Sequence, residues 1–160
     1  MLSRSRKRNV VRVLSELNHR PYKLGSKRIS RGLDCFSLVK LYYSKAFGHE
    51  LPSTFNDYSA EDYADFFLKD RTFALETAVD YLKALPYIVE VSINNFLPFD
   101  ILFASLKLDH EGLVECSDYP ALGIYVGNQH VLTANDPDGT CMMALRQFKI
   151  HRVFRVVEAF

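Results

Sequence analysis

The 160-residue sequence has no tryptophan and only three cysteines. An odd cysteine count, together with a basic and polar Met1–Asn9 that lacks an apolar h-region, disfavours both a disulfide framework and signal-driven export. Also missing is any apolar run near the roughly 20 residues that a helix needs to cross a bilayer, which excludes a helical membrane span. Internal repeats, low-complexity tracts and interdomain linkers are absent too. There is no zinc-finger spacing, helix-turn-helix signature or phosphate-cradling glycine loop, so no specific nucleic-acid role is expected. Cys35, Cys116 and Cys141 lie far apart without paired spacing, which is not a zinc pattern. The acids of Asn135-Asp-Pro-Asp-Gly139 alternate, but Pro137 and the lack of a glutamate at position twelve make the segment a turn rather than a calcium loop. Neither a metal nor a cofactor is expected.

What is present describes one globular domain over residues 1–160. Hydrophobic residues make up 48% of the chain, with 12 Phe and 9 Tyr as core material, and a chain of this length buries about two-thirds of its unfolded surface. The net charge of +1 conceals an asymmetry. Residues 1–31 carry ten Lys or Arg against the single acid Glu16, hence +9, and the remainder carries −8. Arg6, Lys7, Arg8, Arg12, Lys27 and Arg28 are therefore candidate contacts for an acidic protein surface or another anion, with a solvated basic end as the plain alternative.

Apolar spacing at Val10, Val13, Leu14 and Leu17 predicts a helix over 6–19 that ends before Pro21. Cys35–Phe47 is the best-marked helix, with Leu38, Val39, Tyr42, Tyr43 and Ala46 on one stripe and Gly48 as its stop. Two more helices are expected over 60–68 and 72–84. The period then changes: Tyr87–Ser92, Asp100–Ala104, Gly123–Val126, Val131–Ala134 and His151–Val157 read as short strands separated by turns. Helices followed by a meandering antiparallel sheet make the class α+β.

Asp34-Cys35 stands where a loop enters the best helix. A thiol on a first helical turn meets unpaired N–H groups and the positive end of the macrodipole, which favour the thiolate; a cysteine at a helix start also serves simply as packing. The surroundings add to this. Arg20-Pro-Tyr-Lys-Leu-Gly25, a loop, and then Gly32-Leu-Asp-Cys35-Phe-Ser-Leu-Val39 resemble the entry to the catalytic helix of NlpC/p60-type cell-wall cysteine peptidases, whose pattern is Pro-Tyr-x-x-Gly-Gly, a loop, and Gly-x-Asp-Cys-Ser-Gly-Leu-Val. Leu97-Pro-Phe-Asp100-Ile-Leu-Phe103 looks like that family's Pro-Gly-Asp-Leu-Val-Phe strand. Leu122-Gly-Ile-Tyr-Val-Gly127-Asn128 looks like its His-Val-Gly-Ile-Tyr-Leu-Gly-Asn strand. Cys35 through Tyr43, then Gly48-His-Glu-Leu-Pro52, and the closing Ile150-His-Arg-Val-Phe-Arg155 are similar to the version found in tail-tip assembly proteins of long-tailed phages.

The resemblance implies a papain-like α+β fold, N-terminal helices on an antiparallel sheet, with Cys35 at the nucleophile position and Tyr22 lining the site. It also marks two departures. The residue aligned with the family's base histidine is Ala121, and Thr133 falls where a second polar residue, usually His, Asn or Gln, orients that base. A thiolate without an imidazole lacks the acid that must protonate the leaving amine, and losing one member of a catalytic unit costs on the order of 10⁴ in rate. His130 is the alternative base, although strand alternation sets it on the face opposite Thr133. His19, His49, His110 and His151 read as structural or exposed. The expectation is a crippled peptidase fold that builds a phage tail tip, made in the host cytoplasm, carried in the virion tail and joined to hub or tip subunits. The competing expectations are an active peptidoglycan endopeptidase or amidase using Cys35 with His130, and a generic binding module.

Overall fold

Ser3 opens the first helix: its Oγ accepts from the Arg6 amide at 3.3 Å, and helix α1 runs Arg4–Leu17. The computed structural model describes residues 2–23, 33–51, 76, 79–80, 82–110, 113–135 and 139–157, with the backbone alone for 107–110, 113–120 and 135. Helix α1 begins two residues before the expected 6–19, because Ser3 is the capping residue, and stops two residues earlier, because Asn18 is already extended at ψ 148°. Helix α2 spans Cys35–Phe47 as expected, closed by Gly48 at φ 66°, a conformation that costs glycine nothing. The helix expected over 60–68 lies outside the described residues. Of 72–84, residues 76, 79–80 and 82–83 are helical.

The strands are β1 (Ile88–Val91), β2 (Ile101–His110), β3 (Leu113–Gly127), β4 (His130–Asn135), β5 (Gly139–Ala144) and, after a 3₁₀ turn, β6 (Phe148–Val156). They form one antiparallel sheet in the order β1-β6-β2-β3-β4-β5. Three boundaries correct the sequence expectation. β2 continues to His110, and β3 begins at Leu113, so the two make a long hairpin rather than two short strands. β6 begins at Phe148, three residues before His151. β5, which begins at Gly139, is an addition to the strands expected from the sequence; residues 136–138, read as a turn, lie outside the described residues.

Helix α2 packs on β3 and β4. Leu122 and Ile124 share a core with Leu38 and Tyr42, Val126 packs on its edge, and Ile101, Phe103, Leu132, Ala134 and Phe154 complete the floor. This is the face that the alternation of Leu122, Ile124 and Val126 marks in the sequence. The other parity forms a second apolar layer from Leu102, Ala104, Leu106, Tyr125, Val131, Phe148 and Val153. Helix α1 lies against α2, tied by Asn9, whose Nδ2 donates to the carbonyls of Lys45 and Ala46 at 2.9 Å each.

Candidate functional site around Cys35

Asp34 starts the site. Its carboxylate is fully buried and its Oδ1 accepts from the Ser37 amide at 2.7 Å, while its carbonyl accepts from the Leu38 amide at 3.0 Å. That cap fixes Cys35 as the first residue of α2, also fully buried, within the apolar core. The Pro-Tyr segment lies alongside. The Leu33 amide donates to Pro21 O at 2.8 Å, the Lys23 amide to Leu33 O at 3.3 Å, and Tyr22 forms a parallel bridge with Leu33, two residues before Cys35. Tyr22 is thus placed beside the entry to α2, partly buried against the core.

The unexpected strand β5 holds that segment. Thr140 Oγ1 donates to Leu17 O at 2.5 Å and accepts from the Arg20 amide at 2.6 Å. Its backbone bonds reciprocally, from the His19 amide at 2.9 Å and to Arg20 O at 2.7 Å. Gly139 makes this approach possible, since a Cβ there would sit 2.1 Å from Arg20 O.

Ala121 and Thr133 are both buried. Thr133 pairs with Gly123 and donates from Oγ1 to Leu122 O at 2.9 Å; Ala121 is two residues along the same face of β3 and pairs with Ala104. The two positions are therefore diagonal neighbours. Neither belongs to the apolar cluster that Cys35 joins, which takes the alternate residues Leu122, Leu132 and Ala134. Gly123 permits the tight hairpin: a Cβ would meet Val131 Cγ1 at 2.6 Å.

Three of the imidazoles make contacts among the described residues. His130 is exposed at the β3–β4 turn, its Nδ1 2.7 Å from Asn128 O. His151 Nε2 lies 2.7 Å from Ser105 Oγ. His49 stacks edge-on against Tyr87 with centroids 4.7 Å apart. His19 is exposed, and His110 is described in its backbone only. Among the described residues no three His, Cys, Asp or Glu side chains group as a metal site, and no helix is long and apolar enough to cross a membrane.

Of the basic candidates, Arg6, Lys7 and Arg8 are exposed on the first two turns of α1. Arg12 is partly committed, to Asn9 Oδ1 at 2.7 Å and Glu16 at 3.9 Å. Lys27 and Arg28 lie outside the described residues.

Asp100 has a partner that no local sequence signal marks. Buried at 1% exposure, it accepts from the Leu97 amide at 2.8 Å and takes Arg155 side-on, Nε to Oδ1 at 3.0 Å and Nη2 to Oδ2 at 2.8 Å. Phe99 beside it has φ 80° at the place where the resembled motif has glycine, and the Tyr43 hydroxyl donates to its carbonyl. Burial, aided by the neighbouring Tyr42 and Asp100 and opposed by Arg155, pushes the Tyr43 hydroxyl pKa well above the ordinary value. These bonds explain a Tyr-rich helix followed by Pro-x-Asp better than the local sequence does.

Among solved structures, the chain is similar to the NlpC/p60 domain of the peptidoglycan hydrolase SagA, with TM-score 0.56 and 15% identity over 92% of this chain and 97% of that one. The fold is the NlpC/p60 fold. An NLP/P60-family protein from Staphylococcus aureus subsp. aureus Mu50 gives TM-score 0.55 and 16% identity, covering 99% of this chain and 43% of that one. NlpC1 from Trichomonas vaginalis gives 0.54 and 17%, with coverage of 98% and 45%. The chain thus spans under half the length of these last two. By sequence, no family profile and no curated protein matches it. In this NlpC/p60 fold the capped helix start with its cysteine and the β3–β4 hairpin with Ala121 and Thr133 are the elements that the sequence resemblance names.

Proposed function

We propose that this chain is a non-catalytic domain on the NlpC/p60 fold that serves as a structural subunit of the tail tip of a long-tailed phage, made in the host cytoplasm and held in the virion tail by hub or tip subunits. The reading is carried by Ala121, a buried methyl group at the residue that the sequence resemblance aligns with the base histidine of the peptidases. The full burial of Cys35 and the commitment of His130 Nδ1 to a turn carbonyl support it. Without an imidazole at position 121, the thiol at this helix start lacks the group that serves the resembled peptidases as base and leaving-group acid, and amide cleavage at a useful rate is not expected. SagA is described as a peptidoglycan hydrolase, so peptidoglycan is the ligand such a domain would bind without cutting. The Tyr-rich continuation of α2 and the closing β6 sequence carry the tail-tip part of the proposal.

Its test is detection of the chain in purified virions by a specific antibody, with tails separated from capsids. Presence in the tail fraction is expected. Absence from tails, with the protein left in the lysate, overturns the assembly role.

A further inference from the structure

A second site lies at the other end of α2. A cavity of about 770 Å³ opens between the start of α1 (Leu2, Ser3, Arg6), the 97–100 segment and Arg155 of β6. Phe99 packs edge-to-face against Phe47, the last residue of α2, at 5.5 Å between ring centroids. At 1.5 Å per residue, that end is about 18 Å along the helix from Cys35, so the cavity is separate from the peptidase-like site.

We propose that this cavity binds an acidic peptide segment bearing apolar side chains, contributed by a partner protein. Three observations converge. The wall formed by Leu2, Leu97, Pro98 and Phe99 is apolar, and Leu97 is 54% exposed, leaving a hydrophobic edge for an apolar side chain to cover. Arg155 supplies a held anion donor: Nε and Nη2 are spent on Asp100, Nη2 also reaches Asn95 O at 3.3 Å, and both N–H groups of Nη1 have no partner among the described residues. A guanidinium fixed this way loses little freedom when a carboxylate takes the remaining edge. Asp100 neutralises Arg155, and Arg6 is the second cation that lines the cavity.

Phe99 is the third observation. A bulky residue at φ 80° is strained, and strain persists where the surroundings require that side chain. Here the ring is held by Phe47 and presented to the cavity. The mix of aliphatic wall and cationic rim favours a peptide over a polynucleotide, which would bring phosphates but little aliphatic surface. The inference does not rest on the tail-tip reading, and peptide binding and tail incorporation are read separately.

The experiment is fluorescence anisotropy with a labelled short peptide of Asp, Glu, Leu and Phe, against the same peptide with Asn and Gln in place of the acids. Saturable, salt-sensitive binding of the acidic peptide is expected, weakened about tenfold by Arg6→Gln and by Leu97→Ser. Both are exposed positions whose variants keep the fold, checked by circular dichroism. Arg8→Gln, off the cavity, should change binding less than twofold. No saturable binding, equal binding of the neutral peptide, an equal loss in Arg8→Gln, tighter binding of an oligonucleotide, or self-association that Arg6→Gln abolishes each overturns the proposal.

Discussion

Arg155 holds Asp100 side-on, with two bonds of 3.0 and 2.8 Å, across 55 residues of sequence. The carboxylate is buried and the guanidinium 27% exposed, so removing either partner strands a charge at the rim of the core. Asp100→Asn should cost about 3 kcal/mol, the lower part of the range for breaking a buried pair because Arg155 retains some water. Urea denaturation of the variant measures it, and a loss under 1 kcal/mol would mean that the pair contributes little.

Two adjacent tyrosines should respond in opposite directions. The Tyr42 hydroxyl is buried without a hydrogen-bond partner among the described residues, so Tyr42→Phe should be neutral or stabilise by about 1 kcal/mol. Tyr43→Phe removes the bond to Phe99 O and should destabilise by about 1 kcal/mol. Both hydroxyls have pKa values raised by burial. The folded state therefore keeps protons that the unfolded chain releases, so their contribution is complete below pH about 10 and is lost as pH rises above it. A stability profile that falls on the alkaline side, and falls less steeply in Tyr42→Phe, is expected.

Thr140 links β5 to the end of α1. Thr140→Val keeps the shape but leaves Leu17 O and the Arg20 amide without their partner, for an expected loss of about 2 kcal/mol. Because Arg20–Lys23 leads to the bridge between Tyr22 and Leu33, hydrogen exchange at Leu33 and Cys35 should quicken in this variant. Unchanged exchange there would show that β5 does not steady the entry to α2.

The legible parts of this chain were those with local signals. Asp34 and Gly48 bracket α2, so its ends could be read directly, and the alternation of Leu122, Ile124 and Val126 marked the buried face of β3. The outer half of β2 does carry a strand signal, the alternation Leu106-Lys107-Leu108-Asp109, which the short-strand expectation ending at Ala104 leaves out; on β3 the consecutive polar Ser117 and Asp118 break the alternation and Pro120 reads as a breaker. β5 was missed because Thr-Cys-Met-Met-Ala has one β-branched residue, and its role lies in bonds to Leu17 and Arg20, more than 100 residues away. The pairing of Asp100 with Arg155 is likewise a product of the β2–β6 contact, with no local signature.

The first turns of α1 carry Arg4, Arg6, Lys7 and Arg8 with no acid among them. Positive charge at the positive end of a helix is unfavourable by roughly 0.3–1 kcal/mol per group. Neutralising Arg6, Lys7 and Arg8 together should thus leave thermal stability unchanged or slightly higher, while weakening association with acidic partners and flattening its salt dependence. Co-sedimentation with tails at two salt concentrations checks this, and unchanged incorporation would make the basic segment a solvated end.

The most direct test of the account is the digestion of purified peptidoglycan. The intact protein and Cys35→Ala are incubated with it, and released peptides are followed by mass spectrometry. The account expects no release above buffer from either protein. Release by the intact chain that disappears in Cys35→Ala would contradict it and establish a working peptidase with a base other than residue 121.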